Sequence, residues 1–175
     1  MGVALHRRQR RARAPTCGGR KGGDPAAEAL GWSRGGFSTK LHVRAERGGK
    51  PVVIVLTAGE RNEQLVVPDL LDQGAIRRSG GGRPRLRPCR VAGDRGYSSA
   101  TVRARLRQRG IGAVIPTRSN QRRRPRFDRA AYRQRNGVER LFNRLKQYRA
   151  IATRYDKRKE MYHAGLTFAA ILLWI

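Results

Sequence analysis

The chain has 175 residues, enough for one domain with a modest hydrophobic core. Lys and Arg number 40 against 12 Asp and Glu, a formal charge of +28, which predicts a polyanionic partner such as DNA or RNA. The two cysteines, Cys17 and Cys89, have no CxxC spacing and exclude a disulfide scaffold or a zinc motif. The apolar run at 164–175 is too short to cross a bilayer and is expected to form a buried helix. With no secretory signal evident, a cytoplasmic, nucleoid-associated protein with no membrane partner is expected.

The N-terminal part, residues 1–30, is predicted to be a basic and disordered arm. Its first 23 residues include the run HRRQRRARAP, show no hydrophobic period and contain no Asp or Glu before Asp24. The remaining residues, 31–175, carry the patterns of a folded domain.

The first folded elements form a predicted β-hairpin. Residues 39–46 alternate apolar and polar side chains, as in a half-buried strand, and residues 51–56 form a continuous β-branched run. A Gly-rich turn at 47–50 joins them. A helix is predicted to begin near Pro68, because proline is tolerated only in the first turn, and residues 79–88 read as a loop.

A second strand–helix–strand unit follows. Residues 90–93 form a short predicted strand that leads into Asp94, and Ser98 or Ser99 caps a helix that runs to Gln108. Residues 111–116 are a further apolar strand. An acid at the end of a strand can hold a ligand at the sheet edge, but an Asp beside Gly96 can equally brace the turn.

The stretch 131–151 carries a helical period. Its apolar side chains recur at i, i+3, i+4 and i+7 and predict one buried face: Val138, Leu141, Phe142 and Leu145. Beside that face lies a polar stripe: Tyr132, Arg135, Glu139 and Lys146. The spacing alone also fits an ordinary solvated helix face with one Arg–Glu pair.

The polar stripe matches the pattern Tyr-x2-Arg-x3-Glu-x6-Lys, which resembles the signature of bacterial insertion-sequence transposases of the DDE type. Other segments resemble the same family in the same order, from about Gly31 to Ile175: SRGG with TKLH at 33–42, GDRGY at 93–97 and RAIATRYDK at 149–157. The resemblance implies an α/β fold, a ribonuclease H-like mixed sheet flanked by helices, with the catalytic domain at 31–175.

The resemblance also implies a function. Transposases of this type bind the ends of an insertion sequence and a target DNA, cleave DNA and transfer strands with two Mg²⁺ ions, and a homo-oligomer on DNA is expected. Asp94 and Glu139 are the implied catalytic and metal-binding residues, and Tyr132, Arg135 and Lys146 are implied to support the site or contact DNA phosphate. A basic run offers further phosphate contacts: Arg122, Arg123, Arg124 and Arg126.

One feature of the family pattern is missing from the chain. The first catalytic Asp belongs on the first strand, where this sequence has no acid. One choice of codons for residues 6–18, read one nucleotide later, encodes Ile-Asp-Gly-Ser-Val-Val-Arg-Ala-His, with its Asp across the codons of Arg7 and Arg8. This permits the hypothesis of a frameshifted N-terminus, a missing or degraded first strand and an inactive or impaired enzyme. The alternative is a non-catalytic, basic DNA-binding remnant.

Overall fold

The computed structural model describes residues 2–11, 27–33, 36–76, 80–121 and 127–175, with the backbone alone for 2–11 and 33. Within these ranges six strands form one sheet: β1 (Gly2–Arg11), β2 (Gly31–Ser33), β3 (Gly36–Glu46), β4 (Pro51–Ala58), β5 (Arg90–Gly93) and β6 (Gly112–Val114). Six α-helices accompany them: α1 (Val67–Asp72), α2 (Ala100–Gln108), α3 (Arg129–Arg133), α4 (Asn136–Leu145), α5 (Arg149–Ala152) and α6 (Lys159–Leu172). Short 3-10 helices occur at Glu63–Val66 and Arg95–Tyr97.

The central strand of the sheet is β1. It runs antiparallel to β3 and parallel to β5, and β4 and β6 extend the two sides, so the main strand order is β4-β3-β1-β5-β6. The prediction that the first strand is missing is therefore wrong, as is that of a disordered arm for residues 2–11. The strand needs no apolar period of its own, since backbone ladders on both sides satisfy its hydrogen-bonding groups. The rest of the predicted arm up to residue 26 lies outside the described residues.

Helices cover both faces of the sheet. On one face, called the α4 face, buried side chains of β3 meet those of α4 and α6: Leu41, Val43, Ala45, Val138, Leu141, Phe142, Leu145 and Leu166. On the other, called the α2 face, β4 and β5 pack against α1 and α2: Val53, Leu70, Leu71, Val91, Val102 and Leu106. Because strand side chains alternate, each position of β3 and β5 can be assigned to one face.

The elements predicted from local patterns agree with the structure. The 47–50 turn joins β3 to β4 as a hairpin, Pro68 lies in the first turn of α1, and the Ser99 hydroxyl accepts the Val102 amide 3.1 Å away to cap α2. The loop that follows α1 carries one isolated bridge, between Ile76 and Arg85. Within the described ranges, no helix is long and apolar enough to cross a membrane.

The single helix expected over 131–151 is instead divided into α3, α4 and α5. Between α3 and α4 the backbone hydrogen bonds span three residues instead of the four of an α-helix. The Arg135 amide donates to the Tyr132 carbonyl at 3.0 Å, and the Val138 amide donates to the Arg135 carbonyl at 2.9 Å. Gly137 at this break lies against the β3–β4 turn, where a Cβ on it would stand 3.3 Å from the Gly49 Cα. The turn and α4 thus pack backbone against backbone.

This contact predicts a large cost for one substitution in the turn. Gly49 has a φ of +88°, and a Cβ added there would lie 2.5 Å from the Gly137 carbonyl oxygen. Gly49→Ala should therefore lower the free energy of unfolding by about 2 kcal/mol or more, measured by urea denaturation. The control is Gly48→Ala, whose Cβ would meet only the movable Glu46 carboxylate, with a loss within about 0.5 kcal/mol. Equal losses in the two variants would contradict the backbone contact.

The C-terminal helix is only half buried, contrary to expectation. Its inner side chains are covered by the sheet and α4: Tyr162, Leu166, Ala169 and Ala170. Its outer face exposes large apolar residues, including Met161 and Phe168. The apolar run predicted a buried helix, but hydrophobicity alone does not say on how many sides a helix is covered.

Candidate active site

Asp94 stands directly after β5, at the carboxyl end of the strand. Its Oδ1 accepts the Gly96 amide at 2.8 Å and so caps the 3-10 helix that follows. The bracing role that the sequence left open is therefore present. The side chain is half-buried.

The alternation of β5 assigns Asp94 to a face. Val91 belongs to the core of the α2 face, so Ala92 and, two residues on in extended backbone, Asp94 fall on the α4 face. Arg90 shares this alternation, and its Nη1 lies 3.0 Å from the Asp128 carboxylate at the start of α3. The α3–α4 segment therefore lies over the side of the sheet to which Asp94 belongs.

Glu139 occupies the first turn of α4 and forms the ion pair that its spacing predicted. The Arg135 Nη2 donates to the Glu139 Oε1 at 2.9 Å, with 18% of the Arg135 side chain and 38% of the Glu139 side chain exposed. The Arg135 guanidinium also lies 5.4 Å from the centre of the Tyr132 ring, which contacts Phe127 at 5.4 Å between ring centres. Tyr132 and Arg135 thus form one layer that orients Glu139.

Lys146 belongs to a different part of the helix. It is exposed at the end of α4, where its amide donates to the Phe142 carbonyl at 3.1 Å. Seven residues of helix separate it from Glu139, about 10 Å along the axis. The basic residues Arg122, Arg123, Arg124 and Arg126 lie outside the described residues, and their DNA contacts stay a prediction.

The two carboxylates belong to neighbouring elements. Helix α4 packs against β1, and β1 is the strand that pairs with β5. Among the described residues no three His, Cys, Asp or Glu side chains form a cluster that could hold a metal ion. His42 is buried on the α2 face, with its Nε2 2.9 Å from the Thr57 hydroxyl and its Nδ1 3.3 Å from the Tyr97 hydroxyl.

A buried arginine, which sequence reasoning missed, ties distant segments together. Only 1% of Arg154 is exposed, and burial lowers the pKa of its guanidinium. The guanidinium donates to one hydroxyl, of Thr39, and to four carbonyls: Glu28, Ala29, Asp156 and Lys157. Backbone carbonyls leave no pattern in a sequence, so no spacing could have revealed this role. Arg154 fixes the entry to β2 against the loop before α6.

Comparison with known proteins decides the family. A family model described as Transposase DDE domain matches residues 13–174. The chain belongs to this family. Transposition chemistry on DNA and the use of a divalent metal are general in it.

Two relatives support the assignment. A protein named as a transposase for insertion sequence element IS402 in Burkholderia cepacia is 30% identical over 77% of this chain and 62% of the relative. One named for insertion sequence element IS6501 in Brucella ovis is 28% identical over 79% of this chain and 99% of the relative. The match thus spans less than two thirds of the IS402 protein.

One solved structure is similar at a lower level. A piggyBac transposase synaptic complex with hairpin DNA aligns with 69% of this chain and 24% of that chain, at 14% identity and a TM-score of 0.42. A TM-score of this size does not establish a shared fold.

Proposed function

We propose that this chain is the DNA-binding catalytic portion of an insertion-sequence transposase, acting on the nucleoid, in which Asp94 and Glu139 are the surviving catalytic carboxylates. The observation that carries the proposal is the position of β1, antiparallel to β3 on one side and parallel to β5 on the other. This mixed order, with helices on both faces, supports a ribonuclease H-like fold for residues 31–175 together with β1.

The strand order also places Asp94 and Glu139 on elements that both adjoin β1. Asp94 ends the strand that pairs with β1, and Glu139 lies on the helix that packs over β1 from the face to which Asp94 belongs. A rigid strand and a rigid helix are suitable supports for ligands that must be held in register. Arg135 then acts by holding the Glu139 carboxylate in one orientation, through the ion pair at 2.9 Å.

The residues present do not fit a complete two-metal site. Mg²⁺ prefers carboxylate oxygens, and a pair of ions needs carboxylates from several elements. The described residues offer two acids here, one bonded to the Gly96 amide and one paired with Arg135. A third acid would come from β1, whose sequence GVALHRRQRR has none. We therefore propose that Asp94 and Glu139 hold one Mg²⁺ at most, and that DNA cleavage by this chain is lost.

The rival function, a non-catalytic DNA-binding remnant, differs from this proposal only in whether Asp94 and Glu139 still bind a metal. Both rest on the charge of +28, which lets many cationic side chains contact phosphates at once. The basic surface would survive the loss of one catalytic acid, because phosphate contacts and metal ligands are different residues.

DNA binding is tested by its salt dependence. Binding to a random duplex should weaken by about a thousandfold between about 50 and 200 mM salt, as for six or more phosphate contacts. Replacing Arg122, Arg123, Arg124 and Arg126 by Ala should make the slope of log K against log salt shallower, measured by fluorescence anisotropy. A control with the same net charge replaces four exposed arginines elsewhere: Arg83, Arg87, Arg105 and Arg107. Binding that does not respond to salt would contradict the proposed phosphate contacts.

A further inference from the structure

The outer face of α6 is apolar from Met161 to the end of the helix at Leu172. At about 100° per residue, six side chains fall within an arc of about 120°: Met161, Ala164, Gly165, Phe168, Ile171 and Leu172. We call this set the α6 stripe. Met161 is 59% exposed, Phe168 66% and Ile171 54%. Contiguous apolar exposure on this scale marks an interaction site.

The stripe is held in place by the opposite side of the helix. Tyr162 and Leu166 are buried in the core of the α4 face, and the His163 Nε2 lies 3.1 Å from the Ile54 carbonyl of β4. Beyond the helix, the Trp174 indole donates to the Pro51 carbonyl at 2.8 Å. The helix therefore cannot turn its apolar stripe inward without losing these contacts.

The charge pattern favours a second copy of this chain as the occupant. No Lys, Arg, Asp or Glu occurs from Tyr162 to Ile175, whereas charged residues make up 30% of the whole chain. Lys50 and Arg144 line a cavity with Leu172 and Ile175 at the C-terminal end of the stripe. The stripe itself supplies no charge that a polyanion or an acidic partner could pair with. For two chains of charge +28, a contact through side chains that carry no charge adds little repulsion of its own.

The stripe is also complementary to itself. Two small residues, Ala164 and Gly165, lie four and three residues before Phe168. Two large residues, Ile171 and Leu172, lie three and four residues after it. A two-fold axis through Phe168 in an antiparallel helix pair sets the small pair of one copy against the large pair of the other. An isologous dimer requires such a self-complementary surface, because the same surface of both copies forms the interface.

We propose that the α6 stripe is a homodimer interface in which two α6 helices pack antiparallel about a two-fold axis at Phe168. The axis places Met161 of one copy opposite Ile175 of the other. Because the interface is apolar and the rest of the surface is cationic, dimerisation strengthens as added salt screens the repulsion. DNA binding weakens under the same change, so the two processes have opposite salt dependences.

Sedimentation of the full-length chain without DNA tests the interface. We expect the dimer fraction to rise with protein concentration and with NaCl. Phe168→Asp should weaken the dimer at least tenfold, since the axis brings both new carboxylates into the interface. The control is Leu65→Asp, which makes the same change at a side chain 61% exposed in another part of the chain, and it should dimerise as the parent does.

Disulfide trapping tests the antiparallel arrangement independently of these variants. In a Cys17→Ser, Cys89→Ser background, Met161→Cys and Ile175→Cys chains should cross-link when mixed and not when oxidised separately. A chain that stays monomeric at every salt concentration overturns the proposal. So does equal dimerisation of the Phe168→Asp and Leu65→Asp variants, or a Met161→Cys chain that cross-links to itself as readily as to Ile175→Cys.

Discussion

An insertion-sequence end incubated with this chain and Mg²⁺ or Mn²⁺ will be bound and left uncleaved. The described site offers Asp94 and Glu139, and the strand between β3 and β5 supplies no third acid. A second metal ion would lose much of its charge compensation there. Even about 4 kcal/mol of lost transition-state stabilisation lowers a rate about a thousandfold.

The measurement pairs two assays on one protein preparation. Both assays use an end-labelled duplex that carries the terminal repeat of a closely matching insertion sequence. A gel shift measures binding, and a denaturing gel measures cleavage. The shift is the control that distinguishes an inactive site from an unfolded protein. Robust cleavage that Asp94→Ala abolishes would contradict the prediction and would mean that another acid, such as Asp24, completes the site.

We expect an acid in place of His6, which lies in β1, to restore metal binding. In the parallel pairing of β1 with β5, Leu5 lies opposite Gly93. Continuing this register by one residue places residue 6 opposite Asp94. Position 6 also pairs with Val43, whose side chain lies in the core of the α4 face. His6→Asp should therefore bind Mn²⁺ at least about tenfold more tightly than the parent, a gain of about 1.4 kcal/mol, measured by calorimetry.

The neighbouring position provides the control. Position 7 pairs with His42, which contacts Tyr97 on the α2 face. Arg7→Asp removes more positive charge than His6→Asp, yet it should gain no comparable Mn²⁺ affinity. Adding Asp94→Asn or Glu139→Gln to His6→Asp should abolish the gain. Equal gains at positions 6 and 7 would show that net charge, rather than a site, attracts the ion.

Local elements could be predicted where a short pattern determines them. The alternation of residues 39–46 and the turn at 47–50 specify a hairpin, and Ser99 specifies the start of α2. The spacing of four residues also predicted the pair of Arg135 with Glu139, because four residues make about one helical turn. These features depend on neighbours in the sequence.

Features that depend on distant partners could not be predicted. Strand β1 has a basic sequence and no period, and it exists because β3 and β5 pair with it along the backbone. The division between α3 and α4 reflects the close approach of the β3–β4 turn to Gly137. The codon hypothesis put the missing acid at Arg7 or Arg8, whereas the register of the sheet favours position 6.

The central claim, that Asp94 and Glu139 face one site, is tested most directly by cross-linking. Asp94→Cys with Glu139→Cys, in a chain with Cys17 and Cys89 replaced by Ser, should react with a short bis-maleimide to give an intramolecular bridge. The control pair is Asp94→Cys with Glu160→Cys. Glu160 lies on α6, which packs against β4, and β4 is separated from β5 by β3 and β1.

The bridge should be found by mass spectrometry of the proteolysed monomer for the 94–139 pair alone. Absence of the 94–139 bridge, or equal yields from the two pairs, would contradict the shared site.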